Sequence, residues 1–173
     1  MSSPFAAPAP ENYAELSMTL LMTPDRANFS GNVHGGQMLK LLDEVAYTCA
    51  SRYSGRYVVT LSVDQVLFKE PIRIGELVTF LAAINYTGRT SMEVGIKVIA
   101  ENVTHKQRRH TMTCYFTMVA VDENGQATPV PPLPLDSAQR VQRHAAAELR
   151  RQLRREVAQR YAAIKRQGVD TTG

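Results

Sequence analysis

The sequence predicts an α+β fold in which a five-stranded antiparallel sheet wraps around one long helix, with a basic helix added after it. Three observations carry this prediction. A single amphipathic helical pattern runs from about His34 to Tyr53. Five short β-like segments flank it, one before and four after, joined by connections short enough to make sequence neighbours antiparallel. The chain has 173 residues, 44% of them hydrophobic, which suits one sizeable core. One apolar-faced helix and one sheet bury each other fully only if the sheet curls over the helix.

Each element has a local cause. Residues 16–22 are a short apolar run of β character ended by Pro24. In the helix, steps of 100° place Met38, Leu39, Leu42, Val45, Ala46, Cys49, Ala50 and Tyr53 on one face, with Gln37 and Glu44 opposite. Asp43 falls at the edge of that stripe, where the buried face meets something else. Four segments rich in β-branched and aromatic residues follow, at about 57–68, 76–86, 91–102 and 109–121. Pro71 and Gly75, then Thr87-Gly88-Arg89, then His105-Lys106-Gln107 separate them.

Five stretches are expected: a disordered lead-in over 1–12, a main domain over 13–128, a stiff Pro-rich linker over 129–135, a basic amphipathic helix over 136–167, and a flexible tail over 168–173. Asp136 or Ser137 can cap the last helix and Gly168 can stop it. Its apolar positions are Val141, Ala145, Leu149, Leu153, Val157, Tyr161 and Ile164, which give one packing stripe and one exposed basic face.

The net charge of +4 belongs to that helix: residues 136–167 hold nine Lys/Arg against three Asp/Glu, and residues 1–135 are near −1. No aromatics interleave with the arginines, so a nucleic-acid polymer is not the expected partner. No apolar run approaches the ~20 residues that span a bilayer, so no membrane insertion is expected. The N-terminal residues do not read as a signal peptide. Cys49 and Cys114 read as reduced, buried thiols, and the glycosylation triplets at Asn28, Asn85 and Asn102 read as chance. The expected location is the cytoplasm.

The most informative segment is Pro24-Asp25-Arg26-Ala27-Asn28-Phe29-Ser30-Gly31-Asn32-Val33-His34-Gly35-Gly36, which runs straight into the helix carrying Asp43. Glycines let a backbone pass close to a ligand, and a helix N-terminus presents unpaired N–H groups with partial positive charge. That arrangement suits a developing oxyanion. Asn28 alone is enough to turn a loop, and Gly35 and Gly36 alone are enough to open a helix. His34 has no Ser or Cys nucleophile and no metal-ligand partner at a recognisable spacing, so it reads as site architecture rather than a base.

This segment resembles the Asn…Gly…His-Gly-Gly…Asp pattern of hotdog-fold acyl-CoA thioesterases. The likeness continues through Val63-Asp64-Gln65-Val66-Leu67-Phe68-Lys69-Glu70-Pro71 and Gly88-Arg89-Thr90-Ser91-Met92-Glu93-Val94, covering roughly residues 16–131. The resemblance implies hydrolysis of fatty acyl-CoA to a free acid and CoA. Asp43 is then base or nucleophile, Asn28 positions water or carbonyl, and the Gly36 N–H stabilises the oxyanion, supported by His34 and Gly35. It also implies a coenzyme A site at Arg89, Thr90 and Ser91. Lys106, Arg108 and Arg109 form a second basic cluster, open to two readings: a solvated loop, or a partner for a ribose phosphate. No metal or redox cofactor is expected; coenzyme A enters as part of the substrate and leaves as product.

Spacing adds one inference. Gly36 and Asp43 are seven residues apart, about 10 Å along a helix axis, whereas reacting groups must lie ~3 Å from a shared atom. Two antiparallel helices across a two-fold axis solve this, so a dimer with shared sites is expected, and a trimer of such dimers by resemblance. Two rivals are a dehydratase acting on acyl thioesters, and a non-catalytic acyl-CoA sensor with no use for a base.

Overall fold

The predicted apolar stripe becomes helix α1, Gly35–Ser54, which His34 caps at one end and Gly55, in the left-handed region at φ 64°, ends at the other. The computed structural model describes residues 11–64 and 66–169. A five-stranded sheet covers the helix: β1 Glu15–Leu21, β2 Tyr57–Val63, β3 Leu77–Thr87, β4 Ser91–Asn102 and β5 Gln107–Val121. The strand order is β1-β3-β4-β5-β2, with every neighbouring pair antiparallel. The predicted architecture is therefore the observed one, and β1 and β2 are its two edges.

Alternate residues of the inner strands point at the helix. Val78, Phe80, Ile84, Val94, Ile96, Met112, Phe116 and Met118 are all buried against Met38, Leu42, Val45, Ala46, Cys49 and Ala50. Leu39 differs from expectation: it is 43% exposed, and Leu41 is buried instead. A helical wheel gives angle but not axial extent. Ala46 and Ala50 lie at similar angles to Leu39 but further along the axis, and both are fully buried. Both cysteines are free and buried, and burial pushes their thiols up to about 12.

The second strand is shorter than expected, ending at Val63 rather than near residue 68. A register shift lies between Thr60 and Ser62, Asp64 N–H still reaches the Tyr115 carbonyl, and the chain then leaves the sheet. The β-branched composition marked the segment as extended, but the bulge breaks its alternation and releases it. The last strand starts two residues early, because the preceding turn is tight, with Lys106 at φ 53°.

The chain divides into two compact units, one ending at Leu133 and one beginning at Pro134. The first part of the linker is strapped to the first unit: Val130 N–H donates to the Arg89 carbonyl, Leu133 N–H to Thr87 Oγ1, and Tyr53 Oη–H to the Pro132 carbonyl. The second unit holds helix α2, Ala138–Val169, whose start Ser137 caps by accepting from Arg140 N–H at 3.2 Å. Gly168 does not stop α2, since one glycine costs a helix only ~1 kcal/mol. The expected lead-in and tail fall largely outside the described residues. Among the described residues, no helix is long and apolar enough to cross a membrane.

Gly95 marks a tight place in the sheet. A Cβ there would land on the Asn85 amide, which donates to the buried Glu93 carboxylate at 3.2 Å, and would lie 3.3 Å from the Tyr115 ring. Gly95→Ala is expected to destabilise the fold by about 1–3 kcal/mol, the range for overpacking. A lower urea midpoint at unchanged m would register this; an unchanged midpoint would show that Asn85 moves aside freely.

Candidate functional site

The loop before α1 is organised by Asn28. Its side-chain Oδ1 accepts from Ser30 N–H at 2.9 Å, Ser30 Oγ–H at 2.8 Å and Asn32 N–H at 3.1 Å, while its own N–H donates to the Asn32 carbonyl. With the carbonyl oxygen turned into the loop, the Nδ2 amide is the face left for a ligand. Gly31 makes the turn at φ 79°. Val33 N–H donates to the Ile72 carbonyl at 2.8 Å, and Asn32 pairs with Arg73, so the segment 70–76 holds this loop from outside. A cavity of about 330 Å³ opens beside it, lined by Asn28, Gly35, Met38, Phe68, Pro71 and Ile72.

The amides at the start of α1 are not all available. Gln37 and Met38 N–H both donate to the His34 carbonyl, and Gly36 N–H donates to His34 Nδ1 at 2.9 Å. Of the first four helical N–H groups, that of Gly35 alone has no protein partner among the described residues, and Gly35 lines the Asn28 cavity. The Gly36 N–H, expected from the sequence to face substrate, is thus engaged by the His34 ring. A His at the N-cap supplies the acceptor that Ser, Asp or Asn more often gives.

Asp43 lies elsewhere. Thr60 of β2 donates its hydroxyl to Asp43 Oδ1 at 2.6 Å, and the two residues line a separate opening of about 400 Å³ with Tyr47, Tyr57, Val58 and Val59. Sequence reasoning missed Thr60, whose only signal was its place in a strand that follows the helix. No residue lines both cavities. Asn28 and Gly35 come together in one protomer, and so do Asp43 and Thr60, but the two pairs remain apart.

The candidate phosphate-binding residues divide the same way. Arg89, Thr90 and Ser91 form the β3–β4 turn, and the Thr90 carbonyl accepts from Ala120 N–H, whose strand partner Val58 lines the Asp43 opening. Lys106 and Arg108 stand at the far end of β4, where Arg108 pairs with Glu101 at 3.3 Å. The 12 residues of β4 span about 36 Å, so the two clusters cannot meet in one protomer.

Arg109 leaves the cluster altogether. It grips Glu76 at 2.7 Å, and the Glu76 carboxyl, which burial alone would push up, is held below the ordinary glutamate range by the Arg109 hydrogen bonds, the Arg73 N–H and both arginine charges. Among the described residues there is no grouping of His, Cys, Asp and Glu able to hold a metal ion.

The thioesterase superfamily model matches residues 30–105 of the chain. Protein VdlD of Helicobacter pylori is 50% identical over 140 residues, covering 81% of this chain and 80% of that protein. The uncharacterized acyl-CoA thioester hydrolase YkhA of Bacillus subtilis is 32% identical over 124 residues, covering 72% of each chain. Among solved structures, an apo-hexameric acyl-CoA thioesterase superimposes with a TM-score of 0.82 at 33% identity, over 86% of this chain and 96% of that one.

Replacement of His34 tests its capping role. His34→Ala is expected to lower stability by about 1 kcal/mol, the scale of a lost side-chain N-cap, read from the urea midpoint of the far-UV circular dichroism. An unchanged midpoint would mean that the ring does not secure the start of α1.

Proposed function

Because this chain belongs to the thioesterase superfamily, among its hotdog-fold acyl-CoA thioester hydrolases, we propose that it hydrolyses fatty acyl-CoA at composite sites shared between two subunits. The observation that carries this reading is the separation of the Asn28 and Asp43 cavities. Each holds half of what the reaction needs: one an amide donor beside a helix N-terminus, the other a carboxylate.

The edge strand β2 supports the way the halves meet. Its main chain is unpaired on one side, and Tyr57, Val59, Leu61 and Val63 are exposed along it. Unpaired edges are templates for pairing with another chain. Two β2 strands joined antiparallel about a two-fold axis would bring the Thr60 and Asp43 end of one subunit toward the partner's segment 66–72. That segment walls the Asn28 cavity. The hexameric relative supports further association into a trimer of dimers.

In such a site the thioester carbonyl lies between Asn28 of one subunit and Asp43 of the other. Asn28 Nδ2–H donates to the carbonyl oxygen, joined by a helix N-terminal amide. Gly35 N–H faces the cavity already, while Gly36 N–H can join once the His34 ring turns away. Charge developing on that oxygen is met by donors fixed in advance. Thr60 holds one oxygen of Asp43 and leaves the other to take a proton from water, which attacks the carbonyl carbon. Alternatively, that oxygen attacks directly, forming a mixed anhydride that water then opens. Collapse of the tetrahedral species expels the CoA thiolate, and the products are a carboxylic acid and CoA.

Arg89, Thr90 and Ser91 would hold phosphates beside Asp43, and Lys106 and Arg108 would come from the partner subunit with Asn28. The apolar wall of Met38, Phe68 and Ile72 would take the first part of the acyl chain.

A free-thiol release assay with short, medium and long acyl-CoAs tests the activity. Asp43→Ala and Asn28→Ala are each expected to lower kcat at least ~100-fold, the scale for loss of a base or an oxyanion donor. Glu44 lines the same opening as Asp43 but pairs with Lys40 at 3.9 Å and has no part in the proposed chemistry; it serves as a neighbouring control, and Glu44→Ala should change little. Near-normal thiol release from folded Asp43→Ala protein would sink the assignment.

A further inference from the structure

By residue type Arg109 belongs with Lys106 and Arg108 as a phosphate ligand, but its guanidinium is fully engaged inside the protein. Nη1 donates to Glu76 Oε1 and Nη2 to Glu76 Oε2, both at 2.7 Å; Nη2 also donates to the Pro71 carbonyl at 2.7 Å, and Nε lies 3.0 Å from Glu70 Oε2. One planar fork thus grips both ends of the connection between residues 70 and 76. The Glu76 side chain is 3% exposed and its Oε2 also accepts from Arg73 N–H at 2.8 Å. A bidentate, charge-assisted arrangement of this kind fixes direction as well as distance.

Hydrophobic packing holds this connection at two points, the buried Ile72 and the partly buried Ile74. Lys69, Glu70, Pro71, Arg73 and Gly75 are exposed, and between residues 69 and 76 only Ile72 and Glu76 are buried. Around those two points its conformation rests on directional bonds: main-chain ones, such as Gly75 N–H to the Met22 carbonyl at 2.7 Å, and the side-chain fork of Arg109. The same connection carries the groups that shape the site. The Ile72 carbonyl accepts Val33 N–H, Arg73 pairs with Asn32, and Lys69, Glu70, Pro71 and Ile72 wall the Asn28 cavity. Asn32 in turn closes the ring of hydrogen bonds that orients Asn28.

We propose that the Arg109–Glu76 pair is a positioning device for the active site, holding the 70–76 connection and, through it, the Asn28 loop and the cavity wall. It touches no substrate itself. The proposal rests on the reading of Asn28 as a catalytic group. A buried ion pair is weak evidence for stability; here its connectivity gives it a use, because displacement of a reacting group by ~1 Å can cost ~100-fold in rate.

The test compares Arg109→Ala, Arg109→Lys and Glu76→Gln in the full-length protein. Three readings are taken: kcat and KM on an acyl-CoA and on the matching acyl-pantetheine, hydrogen exchange at the Val33 amide, and rescue of Arg109→Ala by millimolar guanidinium ion. The expected result is a fall in kcat of tenfold or more on both substrates alike, with faster exchange at Val33. Guanidinium ion should restore part of kcat, and Arg109→Lys should recover less than wild type, since a point charge cannot make the fork.

If Arg109→Ala fails to fold, Glu76→Gln, which keeps the side-chain shape, carries the same comparison at smaller amplitude. A loss confined to KM for CoA esters would overturn the proposal and make Arg109 a phosphate ligand. Unchanged Val33 exchange would overturn it too, as would a loss of activity matching the unfolded fraction alone. The exchange reading needs no turnover, so a wild-type protein that released no thiol would count against the proposed function while leaving the clamp to be judged by Val33.

Discussion

Helix α1 lies with its apolar flank against the concave face of the sheet, and the layout of the site follows from its length and direction. Twenty residues make a helix of about 30 Å, so its N-terminus and its third turn are fixed at different depths. The first turn emerges beside the Asn28 loop. The third carries Asp43 within reach of Thr60 on the edge strand. Burial of the Met38, Leu42, Val45 and Cys49 side makes this placement rigid, since rotating or sliding the helix would expose core. Asn28 and Asp43 therefore line separate openings of one protomer, the arrangement on which the proposed shared site rests.

Two kinds of force divide the work around this helix. Apolar packing fixes the elements, while the loops around the candidate site are shaped by hydrogen bonds. Asn28 organises its own loop through three acceptor contacts, His34 closes the first turn of α1, and Arg109 and Glu76 hold the outer connection. The capped Gly36 amide shows that such bonding can also occupy a donor that chemistry would use.

The sequence made the fold legible because periodicity reports burial. The 3.6-residue stripe of α1 and the alternating β-branched runs are direct imprints of a helix under a sheet, and the strand order alone was not readable from them. Where the reading slipped, the cause was geometric. Leu39 shares an angle with buried alanines at another axial position yet is 43% exposed, and residues 64–68 look extended yet follow a bulge. At the site, Asn28 and Asp43 stood out because they match the thioesterase pattern around a glycine-rich helix start. Thr60 did not, because its bond to Asp43 joins a strand to a helix across 17 positions. Arg109 looked like its neighbours because charge says nothing of partners. Glu76, 33 positions away, was visible only once the chain had folded.

The central claim is that each site is built from two subunits, and subunit mixing tests it most directly. Inactive Asn28→Ala and Asp43→Ala chains are combined in equal amounts under conditions that exchange subunits. With shared sites, each mixed dimer has one site bearing both defects and one bearing neither. Random assortment makes about half of the dimers mixed, so thiol release should recover to roughly a quarter of wild type. Absence of recovery, with subunit exchange demonstrated independently, would show that Asn28 and Asp43 serve one site from a single chain.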